Sequence, residues 1–474
     1  KCNHSGAVAI CREDGSSRRW TCCGEVFYQA RVTSNGVTQY YKTIQEAFEA
    51  AGDGDTVGIL EFDTAEAKEI STNKDLTIEL VGSVSSNGPR FRFSGNVTFL
   101  SAGLNDSPAA FSPFVIVEKG GALTVPEYYD SEETVPNAIR FTSIVVYGTA
   151  EVGGGAYHYL TADGGTVNLS GSGVQVNSQL SVQNGGKLTA DGAQIDWFNV
   201  SGGTSTATVT GSAIEQLTVT GGTATLDNCT VKSNSPTSGG STVSGGSLTV
   251  SGSSSEIKDL TVKNGDVTVT GGMLTGTLTV DGGTVNVTNT VVKGAEINAG
   301  SFTLGEKAVF DEHELHICGG EAIIDAGDKD GIKDNTSCKV IVEGGKLTLK
   351  SGEIGCITDI KSGAQAELNG GNFGIVWVSG KLTVNGAVQK KYKTDSYIEI
   401  SRGGEAELLS GSCDQIIVRG GKLTVSGGNC SLLDVAAYCW DNVTLSDGSF
   451  GVIRVEAYEV LADNTVKKLD NIGY

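Results

Sequence analysis

Basic residues are in short supply in this chain: 34 Lys and Arg stand against 55 Asp and Glu, a formal net charge of −21. Nucleic acid and anionic membrane both demand a basic face, so this balance excludes them as partners. Apolar runs long enough to span a bilayer are missing as well, because none reaches the roughly 18 residues a transmembrane helix needs. No Lys-rich segment followed by an apolar stretch opens the chain, so any signal peptide is expected to have been removed. Proline is down to 6 residues and methionine to one, and only 19% of residues are charged. A disordered chain would also be poor in apolar residues, whereas 38% of this one is hydrophobic.

Glycine is abundant, 67 residues in 474, and it is placed periodically. The stretch Gln415 to Gly428, QIIVRGGKLTVSGG, shows the unit: a short β-branched run, a Gly-Gly corner, a second short run, and another corner. Copies recur with corners at Gly185, Gly202, Gly221, Gly245, Gly265 and onward to Gly420, at spacings of 17 to 25 residues. Such a period, with Val, Ile, Leu and Thr between glycines, specifies a solenoid, because no single turn can bury its own apolar face. The predicted fold is all-β: a right-handed single-stranded parallel β-helix over residues 63–474 with one elongated core.

Residues 1–24 hold Cys2, His4, Cys11, Cys22 and Cys23 in a segment too small for a core of its own. Four of these groups, with Cys22 and Cys23 as alternatives, can bind a structural zinc; disulfides are the other reading. Residues 25–62 are expected to cap the solenoid. Ile44, Ala47, Phe48 and Ala51 form an apolar helical stripe, Thr43 and Glu46 a capping box, and Gly52 a stop. The stretch YYKTIQEAFEAAGDGDTV resembles the helix-and-strand entrance of pectin-lyase-like right-handed parallel β-helix proteins. With the cysteine segment before it and Gly-Gly-x-Leu-Thr-Val turns after it, the chain is similar to large secreted or wall-attached proteins of Gram-positive gut bacteria. That resemblance implies the fold; activity does not transfer with it, since the fold carries lyases, hydrolases and inert adhesins.

Three insertions interrupt the period. Residues 126–136, PEYYDSEETVP, hold two prolines and four acids, and residues 233–240, SNSPTSGG, form a smaller loop. In the third, near 325–336, Asp328, Asp330 and Asp334 around Gly331 resemble a calcium loop without its closing Glu; a polar turn is the alternative. Cysteines 338 and 356, and 413 and 430, lie one turn apart, so each pair can staple neighbouring rungs or pack as core thiols.

Aligning the turns on their corners predicts one outward-facing column. It runs Asn199, Thr218, Thr242, Thr261, Thr279, then Glu296, His316, Ile341, Asp359, Trp377, Glu399, Ile417. A threonine ladder is ordinary strand surface. The acids, imidazole and indole that follow can hold a sugar, which makes Glu296, His316, Asp359, Trp377 and Glu399 the candidate ligand-binding set. Asp359 and Glu399, two rungs apart, with His316, are the candidates should the face be catalytic. The expected function is an extracellular or cell-surface adhesin or binding module for a glycan or host surface protein, monomeric or part of a larger surface chain. A polysaccharide hydrolase or lyase and a passive stalk are the alternatives.

Overall fold

The computed structural model describes residues 9–11, 18–20, 28–60, 69–81, 90–101, 114–127, 139–232, 240–311, 314–327, 331–333, 338–391, 396–460 and 466–469. It is a parallel β-solenoid that falls into two compact units, residues 1–235 and 236–474.

From residue 28 the first unit builds an antiparallel hairpin, Ala30–Ser34 with Val37–Tyr41, turned by Asn35 and Gly36 at φ 50° and 80°. The helix Ile44–Ala50 follows. Thr43 Oγ1 accepts from the Glu46 amide at 3.1 Å and Glu46 accepts from the Thr43 amide at 3.3 Å, the reciprocal cap expected from the sequence. The strand Thr56–Ile59 converts the chain to the solenoid: it pairs antiparallel with Ala30–Ser34 and parallel with Leu76–Leu80. Beyond it the strands run in two parallel ladders, one through Arg140–Val146, Gly155–Asp163, Val174–Gln183, Gln194–Val200 and Ala213–Val219. The other runs through Thr149–Val152, Thr166–Ser170, Lys187–Asp191, Thr206–Thr210 and Thr223–Asp227.

Alternation puts Val, Leu, Ile and Phe inside, and at the N-terminal end aromatic rings fill the interior. Phe48 of the helix starts a chain of ring contacts through Phe91, Phe93, Phe99 and Phe141 to Tyr157, with centroids 5.3–6.0 Å apart. The helix thus seats an apolar plug on an end of the stack that would otherwise be exposed. Tyr157 is fully buried, and its hydroxyl donates to the Gly154 carbonyl at 2.6 Å.

Paired glycines at the corners have two separate causes. Gly120 adopts φ +90°, which side-chain-bearing residues rarely take, while a Cβ on Gly121 would lie 2.7 Å from the Phe93 carbonyl oxygen of the preceding turn. One glycine turns the chain; the other lets successive turns approach.

The second unit repeats this construction through Ser247–Ser251, Asp266–Thr270, Thr284–Thr288, Ser301–Leu304, Glu321–Asp325 and Lys346–Ser351. Toward its end the strands lengthen to Glu405–Val418, Lys422–Ala436 and Val443–Val460, and the last pairs antiparallel with Val466–Leu469. The third insertion is shorter than a continuous loop over 325–336. Gly331 and Ile332 form a strand between Val309–Phe310 and Glu353–Ile354, and Ile332 is fully buried. Its apolar side chain keeps the rung in the core despite the flanking aspartates. Asp328, Asp330 and Asp334 lie outside the described residues, as do Cys2, His4, Cys22, Cys23, most of 126–136 and 233–239. Cys11 ends the strand Ala9–Cys11, paired antiparallel with Arg18–Trp20. Cys413 and Cys430 stay as thiols, even though Cys413 stands directly opposite Cys430. Burial pushes the Cys430 thiol up to about 11 and Cys413 further in the same direction, as expected of thiols packed as small apolar groups.

Candidate functional site

In the second unit the outward column forms rung by rung. Thr242 pairs with Thr261, Thr261 with Thr279, and Thr279 with Glu296. Glu296 then pairs with His316, followed by Ile341, Asp359, Trp377, Glu399 and Ile417. Two members of this column are engaged by the protein itself. Asp359 is only 6% exposed, and its Oδ2 accepts from Lys361 Nζ at 2.8 Å and Lys339 Nζ at 3.1 Å. Burial pushes this carboxyl up, but hydrogen bonds and charge from Lys361 and Lys339 outweigh it and hold the group below 3.8. Lys339 Nζ also stands 5.5 Å from the centroid of the Trp377 ring, a cation–π contact, and the indole Nε1 donates to the Tyr397 hydroxyl at 3.4 Å. A carboxyl held ionised in this way is a poor proton donor, and the indole carries a lysine over its ring.

His316 points outward from Glu314–Ile317, with Cys318 two residues on and Glu343 at the end of the next rung. One ligand atom from each of the three lies within 4.8 Å of the others. Burial, then the Glu296 and Glu343 carboxylates, raise the Cys318 thiol.

The first unit carries a face that sequence alignment on the corners passes over. Along Gly155–Asp163 the alternation breaks: Tyr157 is buried, His158 and Tyr159 both face out, and Leu160 is buried again. Gln194–Val200 does the same at Asp196 and Trp197, and Ala213–Val219 at Glu215 and Gln216. Two successive outward residues mark a bend made without glycine. Register stacks Tyr159, Gln179, Trp197 and Gln216 on consecutive rungs, and Val174–Gln183 accommodates the bend with an extra residue between Val176 and Gln179. Tyr159 is 42% exposed and Trp197 41%. Neither ring is loose: His158 packs edge-on against Tyr159 at 4.6 Å, and Trp197 Nε1 donates to Thr218 Oγ1 at 3.1 Å. The signal available in the sequence was an aromatic two places before the Asn199 column position, at a turn lacking glycine.

Beside this aromatic line run His158, Asp196 and Glu215. Burial and the Glu215 charge raise the Asp196 carboxyl against the opposing effect of His158, while Glu215 pairs with Lys232 at 3.0 Å. A cavity of about 550 Å³ elsewhere in this unit is lined by Arg92, Glu118, Lys119, Tyr147, Asp163 and Gly164. Its guanidinium is already committed to Glu69 at 3.1 Å and to Glu118.

No family model, curated protein or solved structure matches the chain, so its class is set by its architecture, a parallel β-solenoid, and its function must be argued from these faces.

Proposed function

We propose that the chain is an extracellular or cell-surface β-helix that acts as an adhesin or binding module, with a glycan or a host surface protein as partner. The observation that carries this reading is the line Tyr159, Gln179, Trp197, Gln216. Two half-exposed rings stand two rungs apart, about 9.6 Å, with amides between and after them. Exposed rings held by neighbours lose little entropy when a sugar ring stacks on them, and the amides supply donors and acceptors for hydroxyls. The column Glu296, His316, Asp359, Trp377, Glu399 is a second face of the same kind, less open because Lys339 and Lys361 occupy it. The resemblance of residues 40–57 to a pectin-lyase-like entrance supports a secreted or wall-attached, Gram-positive setting. No helix among the described residues is long and apolar enough to cross a membrane. Screening the purified chain on a glycan array tests the proposal: binding that Trp197→Ala abolishes supports it, and no binding by the wild type to glycans or host surface extracts sinks it.

A hydrolase reading is favoured by one specific observation at the same corner. Asp196 and Glu215 stand one rung apart, about 4.8 Å between backbones, in environments that differ: one carboxyl is raised, the other ion-paired. Side chains one rung apart can bring their carboxyl groups to the separation of a retaining pair, with Asp196 as acid and Glu215 as nucleophile. Reducing-sugar release lost in Asp196→Asn, with binding retained, is the expected outcome; no release from any polysaccharide removes the reading.

Two metal proposals rest on sequence alone. Zinc at Cys2, His4, Cys11 and Cys22 or Cys23 predicts bound zinc by elemental analysis. Calcium at Asp328, Asp330 and Asp334 predicts a rise in melting temperature with calcium that Asp328→Ala loses.

A further inference from the structure

We propose that His316, Cys318 and Glu343 form a binding site for zinc or a similar divalent transition metal on the second unit, with three protein ligands and one coordination position left open.

The backbone fixes all three groups. Residues 316 and 318 flank inward-facing Ile317 and so share one face, and the Ile317–Val342 pairing brings Glu343 alongside Cys318 on the next rung. The Glu343 amide donates to the Ile317 carbonyl at 2.8 Å, which holds this corner. Nitrogen, sulfur and oxygen atoms from three side chains within 4.8 Å of one another are the donor set zinc prefers.

His316 Nε2 adds an independent observation. This atom is shielded from solvent, although the side chain is 32% exposed, and it makes no hydrogen bond: Glu343 Oε1 lies 3.3 Å away, but the approach lacks hydrogen-bond alignment. A shielded ring nitrogen without a partner is unfavourable, and a bond to a metal would satisfy it. Zinc bonded to nitrogen and oxygen at about 2.0–2.1 Å would separate them by about 3.3 Å along a tetrahedral edge, so a separation whose alignment fails for a hydrogen bond suits a shared metal. Glu296, next to His316 on the preceding rung, adds negative charge that a dication would offset. Three ligands leave the fourth position to water or to an oxygen of a bound partner.

This site is independent of the glycan reading, and its readouts are metal affinity and absorption. Full-length chain carrying Cys2→Ala, His4→Ala, Cys11→Ala, Cys22→Ala and Cys23→Ala, which removes the N-terminal candidate, is titrated with Co²⁺ and then competed with Zn²⁺. The expected result is a single-thiolate charge-transfer band at one equivalent, abolished in Cys318→Ala and weakened by roughly tenfold or more in His316→Ala and in Glu343→Gln. Cys318 is half-exposed and Glu343 exposed, so two of the three variants avoid core damage, and circular dichroism checks the third. No metal uptake, or the same band and affinity in Cys318→Ala, overturns the proposal.

Discussion

Two tryptophans at outward strand positions, Trp197 in the first unit and Trp377 in the second, have opposite surroundings. Trp197 stands beside Asp196, which feels Glu215 and His158 but has no lysine on it among the described residues, and its ring is two-fifths exposed. Trp377 stands next to an acid clamped by two lysines, one of which sits over the indole. The same residue type on the same kind of strand is therefore left available in one place and used internally in the other. What decides is whether a rung within reach supplies a cation, not the tryptophan itself.

The sharpest way to break this contrast is to remove the clamped acid. Asp359→Ala strands two lysine ammonium groups against a buried position. Because their side chains are 29% and 47% exposed, the loss is expected near 1–3 kcal/mol, below that of a fully buried pair. Asp196→Ala, at an exposed position, should stay within about 0.5 kcal/mol. Urea melts of the two variants measure both, and equal losses would erase the distinction.

Acid titration probes the same difference with less amplitude. Asp359 is depressed in the folded state, so its contribution to stability is present above 3.8 and is lost as pH falls through the lower folded value. Asp196 is raised, so between 3.8 and its folded value the native state holds more protons than the unfolded chain and stability falls as pH increases. Comparing wild type with Asp359→Asn and with Asp196→Asn across the acid range should yield difference slopes of opposite sign. The smallest effect is expected on the threonine ladder: Thr261→Ala should change melting by less than about 0.5 kcal/mol and leave any ligand affinity as it was.

Much of this fold was legible in the sequence because the glycine period, the capping box of Thr43 and Glu46, and the inside-outside alternation are local and repetitive. The outward column from Glu296 to Ile417 follows from the same period. What it could not reveal was occupancy. Lys339 and Lys361 reach Asp359 across and along rungs through long flexible stems, and no spacing rule anticipates which acid they choose. The corner at Tyr159 and Trp197 escaped because its bend is made by two consecutive outward residues and an extra residue in Val174–Gln183, which shifts alternation where no glycine marks it. Gly331 and Ile332 were read as part of a turn because their acidic neighbours mask a two-residue rung.

The central claim, that the open aromatic corner binds and the lysine-covered indole stabilises, is tested most directly by calorimetric titration and thermal melting of Trp197→Ala and Trp377→Ala side by side with whichever glycan the array identifies. Trp197→Ala should lose about 1–3 kcal/mol of affinity with its melting temperature nearly unchanged. Trp377→Ala should melt lower, by about 1 kcal/mol of stability, and bind as the wild type does. The reverse pattern, affinity lost at Trp377 and stability lost at Trp197, would contradict the account and move the ligand to the C-terminal column.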